Sequence, residues 1–234
     1  MDNAGTRGTG RLAVALGVIA AGSAVSLGTY FLVRGPFGTI NDIGNATVGV
    51  LSAALAWRLR RYVEGRTGDL AVGAATVGAA ITVAGSALVV SETTGYFLAG
   101  LVSSVGFAGI GVWLVTINRS RAQAAEWPRR LRSLGVVAGG LMSLGVVTLP
   151  GVLLRYDDMA TAPSWIWLGQ LGWLGIFVAY PTWAIWLGIV ETHRGQAGQP
   201  GGSGGRFVVR DEGGGAVAEG GTEPFGGKGL RAGG

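Results

Sequence analysis

Cysteine is absent from this chain, and histidine and lysine occur once each, as His193 and Lys228. Without thiols there can be no disulfide, iron–sulfur cluster or thiol nucleophile. A single imidazole rules out the common zinc sites and a haem held by two histidines. Charge is scarce as well: 13% of residues are charged, against roughly 25% in a soluble domain. Gly-x-Ser-x-Gly, His-Glu-x-x-His and Walker sequences are all missing, and acid–base groups are nearly absent from the apolar runs. No cofactor and no enzymatic activity are expected.

What is present is apolar. About half of the 234 residues are hydrophobic, and the charges cluster between long uncharged runs, the pattern of membrane helices. The net charge of +5 does not point to nucleic acid, because the arginines flank apolar spans instead of lining one face. Six candidate spans follow one another: 11–33, 39–58, 69–90, 96–117, 133–154 and 165–190. Each can cross a hydrocarbon core of roughly 30 Å at about 1.5 Å per residue. Only helices satisfy their own backbone inside such a core, and the runs lack the alternation of barrel strands. The expected fold is therefore all-α: a six-helix bundle over residues 11–194, with a disordered stretch at 1–10 and a disordered Gly-rich tail at 195–234.

Arginine counting orients the bundle. Arg7, Arg11, Arg58, Arg60, Arg61, Arg66, Arg119, Arg121, Arg129, Arg130, Arg132 and Arg194 fall on one side, with only Arg34 and Arg155 on the other. The positive-inside rule then places both termini in the cytoplasm of a multi-pass cell-membrane protein, with loops 34–38, 91–95 and 155–164 outside. Tyr30, Phe31, Tyr96, Phe97, Trp165 and Trp167 at the outer ends, and Trp57, Tyr62, Trp113, Trp183 and Trp186 at the inner ends, read as interfacial belts. Trp127, between the fourth and fifth spans, is a candidate to dip into the interface beside Arg129, Arg130 and Arg132. Small pairs such as Gly17/Ala21, Gly22/Ser26, Gly49/Ala53, Gly78/Thr82 and Gly135/Gly139 have the spacing of close helix packing. Pro150 and Pro181 fall inside the fifth and sixth spans, where each removes a backbone hydrogen bond.

One stretch stands apart. Thr39 to Asn45 reads T-I-N-D-I-G-N, and the uncharged run from Ile43 to Trp57 is too short to cross the core alone. Asn41, Asp42 and Asn45 must then lie in the first turns of the second helix, on one face. Thr39 with Asp42 has the spacing of a capping box, and a first-turn carboxylate suits the helix dipole. Arg34, across a short loop, is the preferred cation for Asp42, with Arg155 as the other candidate. The Tyr156-Asp157-Asp158 run has the Tyr-Asp half of the intramembrane aspartyl protease pattern without its Gly-x-Gly-Asp partner, so that chemistry is excluded. Two functions are compatible with these residues. One is a non-enzymatic membrane protein acting through contacts with the lipid bilayer or with other membrane proteins. The other is a small transporter or channel using Asn41, Asp42 and Asn45.

Overall fold

The computed structural model describes residues 3–63, 65–120 and 126–197. Among these the chain is all-helical, without strands. Six helical rods follow in order: α1 (Asn3–Val33), α2 (Phe37–Leu59), α3 (Gly65–Val90), α4 (Tyr96–Arg119), α5 (Arg129–Leu153) and α6 (Ile166–Gln196). Five of them are long and apolar enough to cross a membrane. The exception is α2, which has 23 residues but carries Asn41, Asp42 and Asn45 in its opening turns. The expected tail lies, from residue 198 onward, outside the described residues.

Each rod packs antiparallel against the next, and α6 returns to α1, so the helices form a closed ring. Glycines set the register. Gly78 on α3 lies against the Gly106 carbonyl of α4, and Gly139 on α5 is packed so that a Cβ there would come within 2.6 Å of the Gly111 carbonyl. A Cβ on Gly188 of α6 would likewise come within 2.7 Å of the Gly10 carbonyl. Backbones this close allow the dispersion contacts that replace the hydrophobic effect between helices in lipid. Gly22 is an exception to the expected pattern: a Cβ there would meet nothing within 4 Å.

The contact between Gly10 and Gly188 also corrects the expected disorder of residues 1–10 as far as residues 3–10 are concerned. Helix α1 already runs from Asn3, and Thr6, Thr9 and Gly10 are buried. Lacking side-chain bulk, this polar, glycine-rich stretch fits against the end of α6.

We call the two ends of the ring the Gly35 end and the Trp127 end. Three non-glycine residues at the Gly35 end have left-handed backbone: Arg34 (φ 63°), Glu92 (φ 54°) and Arg155 (φ 56°). Glu92 and Arg155 each stop a helix. The Thr93 N–H reaches the Leu88 carbonyl and the Glu92 N–H the Val89 carbonyl, and Tyr156 and Arg155 repeat this with Gly151 and Val152. This is the Schellman closure, usually built on glycine.

The aromatic belt at the Trp127 end is largely turned inward. Tyr62, Trp113, Trp127 and Trp183 are all buried in the main core, while Trp57 stays exposed. Trp183 meets Trp113 and Trp127 edge-on at 6.1 and 6.2 Å and stacks on Tyr180 at 5.9 Å. Aromatic pairs at these distances add about 0.5–1.5 kcal/mol each beyond area burial.

Both in-helix prolines follow a change of helical pitch. The 3₁₀ stretch Leu144–Thr148 precedes Pro150, and a π-helical stretch, Gly175–Ala179, precedes Pro181. In the latter the Tyr180 N–H reaches back to the Gly175 carbonyl. The wider turn makes room where the proline ring would clash with the preceding turn.

Candidate functional site

The capping reading of Asp42 does not hold. Helix α2 starts at Phe37, behind Pro36 at φ −75°, and has no side-chain cap. Arg34 and Gly35, both at positive φ, reverse the chain so tightly that the helix begins two residues before Thr39. Asp42 then sits about 7.5 Å along the axis from the first residue, too deep to serve the free N–H groups. It is 6% exposed. The expected partner, Arg34, is exposed and lies 5.6 Å from the Tyr30 ring centroid. Among the described residues neither Arg34 nor Arg155 forms an ion pair with Asp42.

The structure does bring Asn41, Asp42 and Asn45 together, and adds Ser23 from α1. A Cβ on Gly44 would lie 2.9 Å from the Ser23 side chain, so glycine there is what lets α1 approach. Ser23 Oγ lies 3.0 Å from the Asn41 backbone oxygen, 3.0 Å from Asn41 Oδ1 and 3.0 Å from Asn45 Oδ1. A hydroxyl has one proton and can donate to one of these acceptors at a time. Asn41 Nδ2 donates to Asp42 Oδ1 at 3.4 Å, and Asp42 Oδ2 is buried with no hydrogen-bond partner. The amide protons of Asn41 and Asn45 thus leave one carboxylate oxygen of Asp42 unserved among the described residues.

Asn41, Asp42 and Asn45 border a cavity of about 30 Å³. Tyr96, Ser103 and Ser104 of α4 line it from one side, and Trp173, Ile176 and Phe177 of α6 from another. Ile176 and Phe177 belong to the π-helical turn, the kind of irregularity that often accompanies functional sites. The space suits about two water molecules or one small ion and excludes metabolites. Its donor set is all oxygen, which favours a proton or a hard cation over a soft metal. No group of three His, Cys, Asp or Glu side chains occurs among the described residues.

A second polar cluster, missed in the sequence, lies at the Trp127 end. Glu191 of α6 is fully buried. Its Oε1 accepts from Trp127 Nε1 at 2.9 Å and lies 3.6 Å from Arg194, which also pairs with Glu126 at 3.2 Å. Trp183 Nε1 donates to Asn118 Oδ1 at 3.2 Å, and Asn118 Nδ2 to the Leu114 carbonyl at 2.8 Å. Deeper in the bundle, the Tyr180 and Ser52 hydroxyls meet at 2.8 Å. Burial, and then the nearby Glu191 carboxylate, push the Tyr62 phenol above its ordinary pKa. The available signal was Glu191 itself, an acid one turn before Arg194 at the end of an apolar run.

At the Trp127 end a guanidinium stands beside the buried carboxylate, whereas among the described residues Asp42 has no cation. Comparison with known proteins adds no relative to this picture: no family model, curated protein or solved structure matches the chain.

Proposed function

We propose that this chain is a six-span, multi-pass protein of the cell membrane that binds a small monovalent cation, the proton included, at Asp42 and passes it across the bilayer. The observation that carries the reading is the Asp42 carboxylate itself, buried with one oxygen unserved and no cation beside it among the described residues. A buried carboxylate with one unserved oxygen, in a cavity the size of an ion, needs positive charge to offset its desolvation. Asn41 and Asn45 supply neutral oxygens beside it. The role is non-enzymatic, since binding and release make and break no covalent bond in a substrate.

Arginine asymmetry supports the threading. The Trp127 end, with its many arginines, faces the cytoplasm, together with both termini, and α2 spans as the sixth helix, with its polar turns toward the outer face. At 23 residues it extends about 34 Å. Reporter fusions after Arg66 and after Arg132 are expected to report cytoplasm; periplasmic-type activity at both overturns this threading. Action through contacts with other membrane proteins draws less support, because Gly17, Gly49, Gly78, Gly135 and Gly139 turn their small faces to neighbours within the bundle.

The test of transport is flux. The full chain in proteoliposomes, with a pH- or Na⁺-sensitive dye inside, is expected to dissipate an imposed gradient faster than empty vesicles. Asp42→Asn is expected to lower that rate at least tenfold while the protein keeps its thermal stability. Wild-type flux at the level of empty vesicles, or equal flux in Asp42→Asn, overturns the reading.

A further inference from the structure

Where α4 ends and α5 begins, Arg119, Arg129 and Arg132 line one side of a pocket of about 350 Å³. Its remaining wall includes Ser133, Val136 and Val137. Among the described residues none of these three guanidinium groups forms an ion pair with a carboxylate. The nearby Glu126 pairs with Arg194 instead, and Arg132 Nε donates to the Asn118 carbonyl at 3.1 Å. The N-terminus of α5 carries no side-chain cap, so its free N–H groups and dipole add to the positive field. The pocket therefore holds concentrated positive charge without an internal counter-ion.

The pocket also changes character along its length. Ser133 lies one turn into α5, and Val136 and Val137 follow about 5 Å further along the axis. Val137 is 56% exposed, on the outer surface of the ring. A ligand filling this pocket meets guanidinium groups and a hydroxyl at one end and bare apolar helix at the other. We propose that it is a specific site for one anionic phospholipid, with the phosphate held by Arg119, Arg129 and Arg132 and an acyl chain lying along Val136 and Val137. A soluble phosphate ester would use only the charged half. The arginines offer forked donors that match phosphate oxygens, which a diffuse surface charge does not require.

The test uses the purified full chain in a non-ionic detergent, with bound lipid counted by native mass spectrometry. Phosphatidylglycerol is expected to remain bound as one copy under conditions that strip phosphatidylcholine with the same chains. The double variant Arg119→Gln/Arg129→Gln is expected to weaken retention about tenfold or more, and Arg130→Gln, a neighbour outside the pocket, to leave it unchanged. Both positions of the double variant are exposed, so the fold is retained, and an unchanged melting temperature checks this. Equal retention of the two lipids, or an equal loss in Arg130→Gln, reduces the site to general surface charge and overturns the proposal. So does glycerol phosphate that displaces the lipid at equal concentration, which assigns the pocket to a soluble phosphate.

Discussion

The two ends of the bundle each bury one carboxylate, and the difference between them separates structure from function. At the Trp127 end, Glu191 receives an indole N–H and has Arg194 within 3.6 Å. At the Gly35 end, among the described residues, Asp42 has a single 3.4 Å hydrogen bond from its own neighbour, Asn41, and no cation. Each leaves its second oxygen without a donor among the described residues, but only Glu191 has a cation beside it. A paired buried ion strongly destabilises the fold when one partner is removed, whereas an unpaired one lowers stability while it stays. The first fixes the bundle, and the second is the cost that the proposed cation would offset.

The sharpest way to break the comparison is at the Trp127 end. Trp183→Ala removes a fully buried side chain and the donor to Asn118, and is expected to cost about 3–5 kcal/mol, read as a fall in melting temperature in detergent. Glu191→Ala is expected to cost about 2 kcal/mol, less than a fully isolated pair because Arg194 keeps Glu126. Glu191→Gln should recover part of that loss, since an amide oxygen still accepts from Trp127. The contrasting substitution, Asp42→Asn, is expected to leave stability unchanged or raise it by up to about 1 kcal/mol. A loss matching that of Glu191→Ala would erase the distinction between the two ends.

A third carboxylate sharpens the picture at the Gly35 end. Asp157 accepts from the Gly95 N–H at 2.8 Å and the Leu98 N–H at 3.2 Å, capping α4 from the α5–α6 connection. Asp157→Ala is expected to cost about 1 kcal/mol in the same melting assay, more than Asp42→Asn. The smallest expected effect is a gain. Arg155→Gly relieves a left-handed backbone at φ 56° and should raise stability by about 0.5–1 kcal/mol.

The helical class and the positions of the connections were legible in the sequence because run length and charge placement report them directly. So was the placement of Asn41, Asp42 and Asn45 on the opening turns of the second helix, which followed from the short run between Ile43 and Trp57. What could not be read was the rotation of each helix about its axis. These helices are apolar all round, so no polar face marks the outside. That is why Trp113 and Trp183 read as belt residues when they are core. Ser23 lies 18 residues before Asn41, in a run of small residues that offers no reason to single it out. The capping box failed because the turn at Arg34 and Gly35 started the helix two residues early, a backbone event that side-chain spacing does not encode.

The π-helical turn at Gly175–Ala179 makes α6 one residue longer than an even α-helix over the same path. Removing one residue there would let the helix close into regular α pitch, a length change a rod can rarely absorb elsewhere. The segments on either side would keep their phase, because the wide turn takes up its additional residue without further rotation. Trp173 on one flank and Tyr180 and Trp183 on the other would hold their places, and only the turn that brings Ile176 and Phe177 to the wall of the Asp42 cavity would be redrawn. Frame and cavity wall are thus separable within a single helix, the wall being shaped by the one residue that the frame does not need.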